Sequence, residues 1–491
     1  MGKVASQSIQ TTLFSYLGVV IGYFNVLWLY PYALEAAQLG TFRTIQDLAL
    51  LFVPFAQLGL GHGITRYFPK LKAGHSAFLS FSLLLATAGF VLVSFLFFVF
   101  KEEIIGLFSS NSPELINYLW IVLLITFLAL ANSILDAYSR SFLKVAIPTF
   151  FREVLLRLLT GLWVICFLMK WINFDWMMAG LIAVYGIPLL GILVYLSWLK
   201  VLKVDLNWRS FPKGFRSSFL KFSLITFLAT AASTLIMKID SIMVSSMVSL
   251  EANAIYTIAF SMALVIEMPR RAISQVVMPV VADHFSKNNL VEINRLYKEV
   301  STRQFYICIL LFLGIWANID SIYHFIPNRE IYESGKWIVF FIGLGKLFDV
   351  AFSINSEILV FSKYYRFNLI ATIAMSILII LMNFWLIPIY GIEGAAIASA
   401  LVMLAFNTVK FLFLKIRLDF NPFSLDTVKI IGLGLFALIM TSILPMMENP
   451  LIDITIRSIL ILGIFWLIAV SGFYGKTELN WIKEKIKKSG S

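Results

Sequence analysis

The sequence predicts an all-α integral membrane protein, and two observations carry that prediction. The 491-residue chain is 60% hydrophobic and only 13% charged, a balance that soluble globular domains of this length do not show. Windows of about twenty apolar residues, each long enough to cross a hydrocarbon core as a helix, recur from Ile9 to Tyr474 with short gaps. The length holds about fourteen such spans. That leaves no room for a soluble catalytic domain, so no catalytic residue is assigned and the chain is not expected to be an enzyme.

Taken in order, the first six spans fall near 9–30, 44–64, 76–100, 115–138, 147–169 and 176–199. The first carries no small-residue cleavage pattern and is read as retained. A basic, polar connection from Lys200 to Lys221 follows, with Asn207-Trp208-Arg209 and Phe211-Pro212-Lys213-Gly214, and has the character of an inter-lobe linker. Six more spans fall near 218–247, 253–282, 303–326, 336–361, 368–388 and 391–415, and two near 427–447 and 451–474. The expected organisation is therefore an N-lobe, 1–205, a C-lobe, 206–420, a final helix pair, 421–475, and a basic tail, 476–491. Each six-span block re-enters the membrane in the same sense, as a parallel repeat would. Local similarity agrees: Leu34-Glu35-Ala36 precedes a span broken by Pro54, and Leu250-Glu251-Ala252 precedes one broken by Pro269. Proline is also commoner in membrane helices than in soluble ones, which is the plainer explanation of both.

The net charge of +12 is a signature of topology rather than of nucleic-acid binding. Lys and Arg collect in alternate loops, including Arg66, Lys70 and Lys72, the run from Lys200 to Lys221, Lys410, Lys415 and Arg417, and the tail. Arg43 and a few others fall in the intervening, poorer loops. The positive-inside rule then puts both termini in the cytoplasm and requires an even number of spans. Cys166 and Cys308 sit inside spans as small hydrophobes, and the four histidines show no ligand spacing, so no metal site is expected.

Charges inside spans need partners or a polar cavity. Glu267-Met268-Pro269-Arg270-Arg271 puts three charges and a helix breaker in the eighth span, about ten residues and roughly 15 Å from its inner end. Arg270 and Arg271 could line a cavity for an anionic substrate, or snorkel to headgroups while Glu267 pairs with Arg271 at i,i+4. Lys238 and Asp240 do not share a helix face, so each needs a partner on another helix. Lys346 and Asp349, at i,i+3, and Glu153 and Arg157, at i,i+4, can pair within their own helices. Asp47 lies in the second span. Arg270, Arg271, Lys346, Arg157 and Lys238 are the candidate substrate-binding cations, and Glu267, Asp240, Asp349 and Asp47 the candidate coupling or charge-pairing carboxylates.

The run Asn383-Phe384-Trp385-Leu386-Ile387-Pro388-Ile389-Tyr390-Gly391-Ile392-Glu393-Gly394-Ala395-Ala396-Ile397-Ala398 resembles the join between late helices of Wzx-type exporters. These polysaccharide and lipid-linked oligosaccharide flippases belong to the multidrug/oligosaccharidyl-lipid/polysaccharide (MOP) superfamily. Gly40-Thr41-Phe42, Leu58-Gly59-Leu60, Arg66-Tyr67 and the stretch from Lys238-Ile239-Asp240 to Ala254-Ile255-Tyr256 are similar as well. The resemblance implies a MATE-like, V-shaped transporter of two six-helix lobes plus two helices in a bacterial inner membrane. Its implied task is to move an undecaprenyl-diphosphate-linked oligosaccharide to the outer leaflet by alternating access, without a cofactor but with coupling to an H+ or Na+ gradient open. Besides the substrate and the bilayer, the implied partners are a polysaccharide polymerase and its chain-length machinery. A cationic cavity suits such a substrate, because arginine matches phosphate oxygens in bidentate geometry. A multidrug or peptidoglycan-precursor exporter of the same fold stays open. So does a membrane enzyme acting on lipid-linked sugars, although the outer loops are short for one.

Overall fold

The computed structural model describes residues 2–208 and 211–470. Within them the chain is helical throughout, with no strand. Arg209, the end of the last expected span at 471–474 and the basic tail 476–491 lie outside the described residues.

Among the described residues nine helices are long and apolar enough to cross a membrane, or eleven if two bent pairs each count as one span. The difference from about fourteen has local causes. The fifth expected span, 147–169, is helical over 146–168 but carries Arg152, Glu153 and Arg157. Tyr365–Leu418 runs for 54 residues yet contains Gly391 at φ 60°, ψ −136°, which no helix contains. At 1.5 Å per residue an unbroken helix of that length would measure about 80 Å, far beyond one bilayer. Pro450–Val470 ends where the description does.

The expected breaks have different forms. Pro54 stays within Ala36–Gln57, and the chain turns just after it, at Leu58 and Gly59, both left-handed. Gly59 is required twice over, since a Cβ there would also lie 2.1 Å from the Ser223 carbonyl oxygen. The bend into 60–70 is 48°. Pro269 sits in the first turn of Met268–Ser286, after a 3-10 turn at Val265–Glu267, a position where its missing N–H costs no helical hydrogen bond. A break not anticipated lies at 352–354, where Ser353 has φ 53° and the chain bends by 47° between 329–351 and Asn355–Phe361.

The chain forms two compact units, Met1–Ser261 with Thr372–Ala398, and Met262–Ala371 with Ser399–Ser491. This partition differs from lobes divided near residue 205. Helices Phe215–Met247 and Leu250–Leu264 meet Ala36–Gln57 too closely to be cut from it: a Cβ on Gly40 would come 1.8 Å from the Leu250 carbonyl oxygen. The first unit has an aromatic core around Phe78, Tyr138 and Phe219. In the second, apolar side chains pack around Phe305, Phe312 and Phe465 and, separately, around Val281, Tyr297 and Leu414.

Candidate functional site

The candidate intramembrane charges are paired or hydrogen-bonded within each unit. In the first, Lys238 on helix 215–247 donates to Asp47 on helix 36–57 at 2.6 Å, and Ser241 donates to the other Asp47 oxygen at 2.7 Å. One turn along, Asn253 donates to Thr44 at 2.8 Å and Thr44 shares a proton with Ser245 at 2.6 Å. Asp240, on the opposite flank from Lys238, accepts from Tyr256 at 2.9 Å and from Asn383 at 2.7 Å. Lys238 and Asp240 thus each use another helix, as their spacing requires. Arg157 pairs with Glu153 at 3.0 Å within its own helical segment, and its side chain packs 3.1 Å from where a Cβ on Gly22 would stand.

Arg43, assigned above to a loop, instead lies inside helix 36–57, one turn before Asp47. Among the described residues it has no carboxylate partner, and its guanidinium lies 6.0 Å from the centre of the Tyr30 ring. It was missed because Glu35 and Arg43 together resemble a polar loop, whereas the Glu35–Gln38 capping box starts the helix before Arg43.

In the second unit the expected Lys346–Asp349 pair does not form. Lys346 meets Glu267 at 2.6 Å and Asp349 meets Arg270 at 3.0 Å. An i,i+3 spacing shows only that two side chains share a face, and here the segment 265–286 places Glu267 and Arg270 against that face, where each meets the opposite charge. Arg270 also donates to the Ser353 carbonyl at 3.2 Å, a group freed by the break at 352–354. Asn407 donates to Asp349 at 3.0 Å. Arg270 is therefore a strut, with its side chain only 13% exposed. Arg271 differs: its Nε engages Glu267 at 3.0 Å, and the side chain is 51% exposed. Glu267 thus holds Lys346 on one side and orients Arg271 on the other, and among the described residues the terminal guanidinium nitrogens of Arg271 have no carboxylate partner.

Lys410, placed among the loop cations by the sequence, is buried at 2% exposure, donates to Ser356 at 2.6 Å and lies 3.7 Å from the centre of the Phe406 ring. Among the described residues no group of three or more His, Cys, Asp or Glu side chains could hold a metal ion.

The half-exposed Arg271 guanidinium can hydrogen-bond an anion. The chain is similar in fold to a solved structure of the lipid II flippase MurJ in an inward closed conformation. That match has a TM-score of 0.77 and 17% identity and covers 95% of this chain and 99% of that one. An inward-facing multidrug resistance MATE family transporter of the MOP superfamily matches with a TM-score of 0.64 and 14% identity, over 83% of this chain and 94% of the other. A MOP superfamily transporter from Pyrococcus furiosus, described as having a binding pocket of reversed polarity, matches at 0.57 and 15%, over 85% and 95%. The fold is that of MOP-superfamily transporters. No curated protein matches the sequence significantly. Residues 7–285, more than half of the chain, match the family described as polysaccharide biosynthesis protein, and the chain belongs to that family.

Proposed function

We propose that the protein is a flippase that moves an undecaprenyl-diphosphate-linked oligosaccharide from the cytoplasmic to the outer leaflet by alternating access, serving cell-surface polysaccharide assembly in a bacterial inner membrane. Both termini lie in the cytoplasm in this reading. The observation that carries it is the state of Arg271: a half-exposed guanidinium inside a span, steadied through one nitrogen by Glu267. A diphosphate accepts bidentate hydrogen bonds from such a group. Arg43, a span cation without a carboxylate partner among the described residues, is by itself a candidate phosphate ligand of the first unit. Family membership supports the class of product, and the fold supports the class of motion.

A second reading, export of a lipid-linked peptidoglycan precursor, is favoured by the likeness to MurJ. Both substrates present a polyprenyl diphosphate and differ in the attached sugar. The deciding experiment is translocation in proteoliposomes of each fluorescent lipid-linked substrate, with wild type, Arg271→Ala and Arg43→Ala at matched insertion and with H+ or Na+ gradients imposed in turn. Transport of the oligosaccharide alone, lost in both variants, supports the proposal. Transport of the peptidoglycan precursor alone selects the second reading, and transport of neither refutes both.

A further inference from the structure

Six exposed basic side chains at one end of the first unit have no acidic partner among the described residues. Arg66 and Lys70 close the bent 36–70 segment, Lys203 lies in the connector, and Lys213, Arg216 and Lys221 surround the start of helix 215–247. Asp205, the acid nearest in sequence, spends one carboxylate oxygen on the Asn207 amide at 2.8 Å.

These cations are not loose loop charges. The Arg66 guanidinium lies 4.2 Å from the centre of the Phe222 ring and the Lys70 ammonium 4.3 Å from that of Tyr67. Arg216 lies 5.8 Å from the Phe211 ring and donates to the Trp208 carbonyl at 2.8 Å. The rings beneath form one floor: Tyr67 packs on Phe215 at 5.6 Å, Phe215 on Phe78 at 5.4 Å, and Phe81 on Trp208 at 5.7 Å. The connector is tied to this floor. Tyr138 donates to the Val201 carbonyl at 3.3 Å and the Asp205 amide donates to Ser80 at 3.1 Å.

The same connector turns apolar side chains outward. Val204 is 88% exposed and Leu206 is 66% exposed, close behind Trp198 at 76%. Both ends of the connector enter membrane helices, Phe174–Trp198 and Phe215–Met247, so it cannot stray far from the lipid interface. Topology alone needs cations in the loop but neither a fixed aromatic floor nor outward aliphatic residues. Basic side chains flanking exposed apolar ones are the pattern of a segment that settles into an anionic membrane surface.

We propose that this face is a docking surface for anionic phospholipid headgroups, with Val204 and Leu206 seated at the acyl boundary and the six cations on lipid phosphates. The interaction fixes the connector between spans six and seven to the inner leaflet and makes its position depend on lipid charge.

The test uses the full chain with Cys166→Ala, Cys308→Ala and a spin label at Val204→Cys, in nanodiscs of phosphatidylcholine with or without about a third phosphatidylglycerol. Oxygen and a water-soluble nickel chelate report the label's surroundings. Anionic lipid should move the label from nickel-accessible to oxygen-accessible. Each cation near the surface is worth about five-fold in partitioning, so Lys213→Gln, Arg216→Gln and Lys221→Gln together should lower it by about a hundred-fold. As a second measurement that keeps both cysteines, native mass spectrometry should show phosphatidylglycerol retained by the wild type and lost from the triple variant. A label equally accessible in both nanodiscs, whether buried or in water, overturns the proposal. So does equal lipid retention by the two proteins, and an acidic protein as the true occupant would give that result.

Discussion

Replacing Arg270 and Arg271 separately should split folding from transport. Arg270 meets Asp349 at 3.0 Å with side-chain exposures of 13% and 15%, and it also holds the Ser353 carbonyl at the break in its neighbour. In Arg270→Ala, Asp349 would keep Asn407 but lose its counter-charge in a desolvated site. Removing one partner of such a pair costs about 3–5 kcal/mol, a large share of the roughly 5–15 kcal/mol that holds a typical domain folded. Arg271→Ala is different. Its pair with Glu267 is half-exposed, and Glu267 keeps Lys346 at 2.6 Å, so the loss should stay within about 1 kcal/mol. The assay is thermal and denaturant unfolding in detergent, followed by transport per folded molecule in proteoliposomes. Arg270→Ala should unfold early, and Arg270→Met with Asp349→Leu should regain at least about half of the lost stability. Arg271→Ala should unfold like wild type and fail to transport. Wild-type stability in Arg270→Ala together with lost transport, unrescued by the double change, would refute the strut and make Arg270 a substrate ligand.

Arg43→Gln should leave unfolding unchanged and weaken the lipid diphosphate by about ten- to a hundred-fold, the worth of one charge-assisted hydrogen bond, read as a raised KM or Kd. Lys238→Ala strands Asp47 beside Ser241 and should cost about 1–3 kcal/mol, while Asp47→Ala with Lys238→Ala should recover most of it in a double-mutant cycle. Gly40→Ala should yield little folded protein on size-exclusion chromatography, because its Cβ would collide with the Leu250 backbone. Gly391→Ala meets open space and should still fold, with a lowered Tm reflecting about 1–3 kcal/mol of backbone strain.

Composition and long apolar windows were enough to show a helical membrane protein, because burial in hydrocarbon demands such windows whatever surrounds them. The late join at Asn383–Ala398 pointed to the superfamily, and Pro54 and Pro269 marked helix junctions to within a few residues. The spacing of Lys238 and Asp240 required partners on other helices, since a two-residue step places them on different faces. Other features existed only in three dimensions. Arg43 belonged to a helix because of a capping box, and Lys410 was buried although its neighbours are loop cations. Lys346 and Asp349 ignored each other for Glu267 and Arg270. The break at Ser353 had no proline to announce it, and helix 215–247 joined the first unit through close backbone approach. Local spacing reports which face a charge occupies, and hydropathy reports which segments must be buried. The identity of a charge's partner depends on which helix is pressed against that face, so only the tertiary structure separated the strut Arg270 from the accessible Arg271.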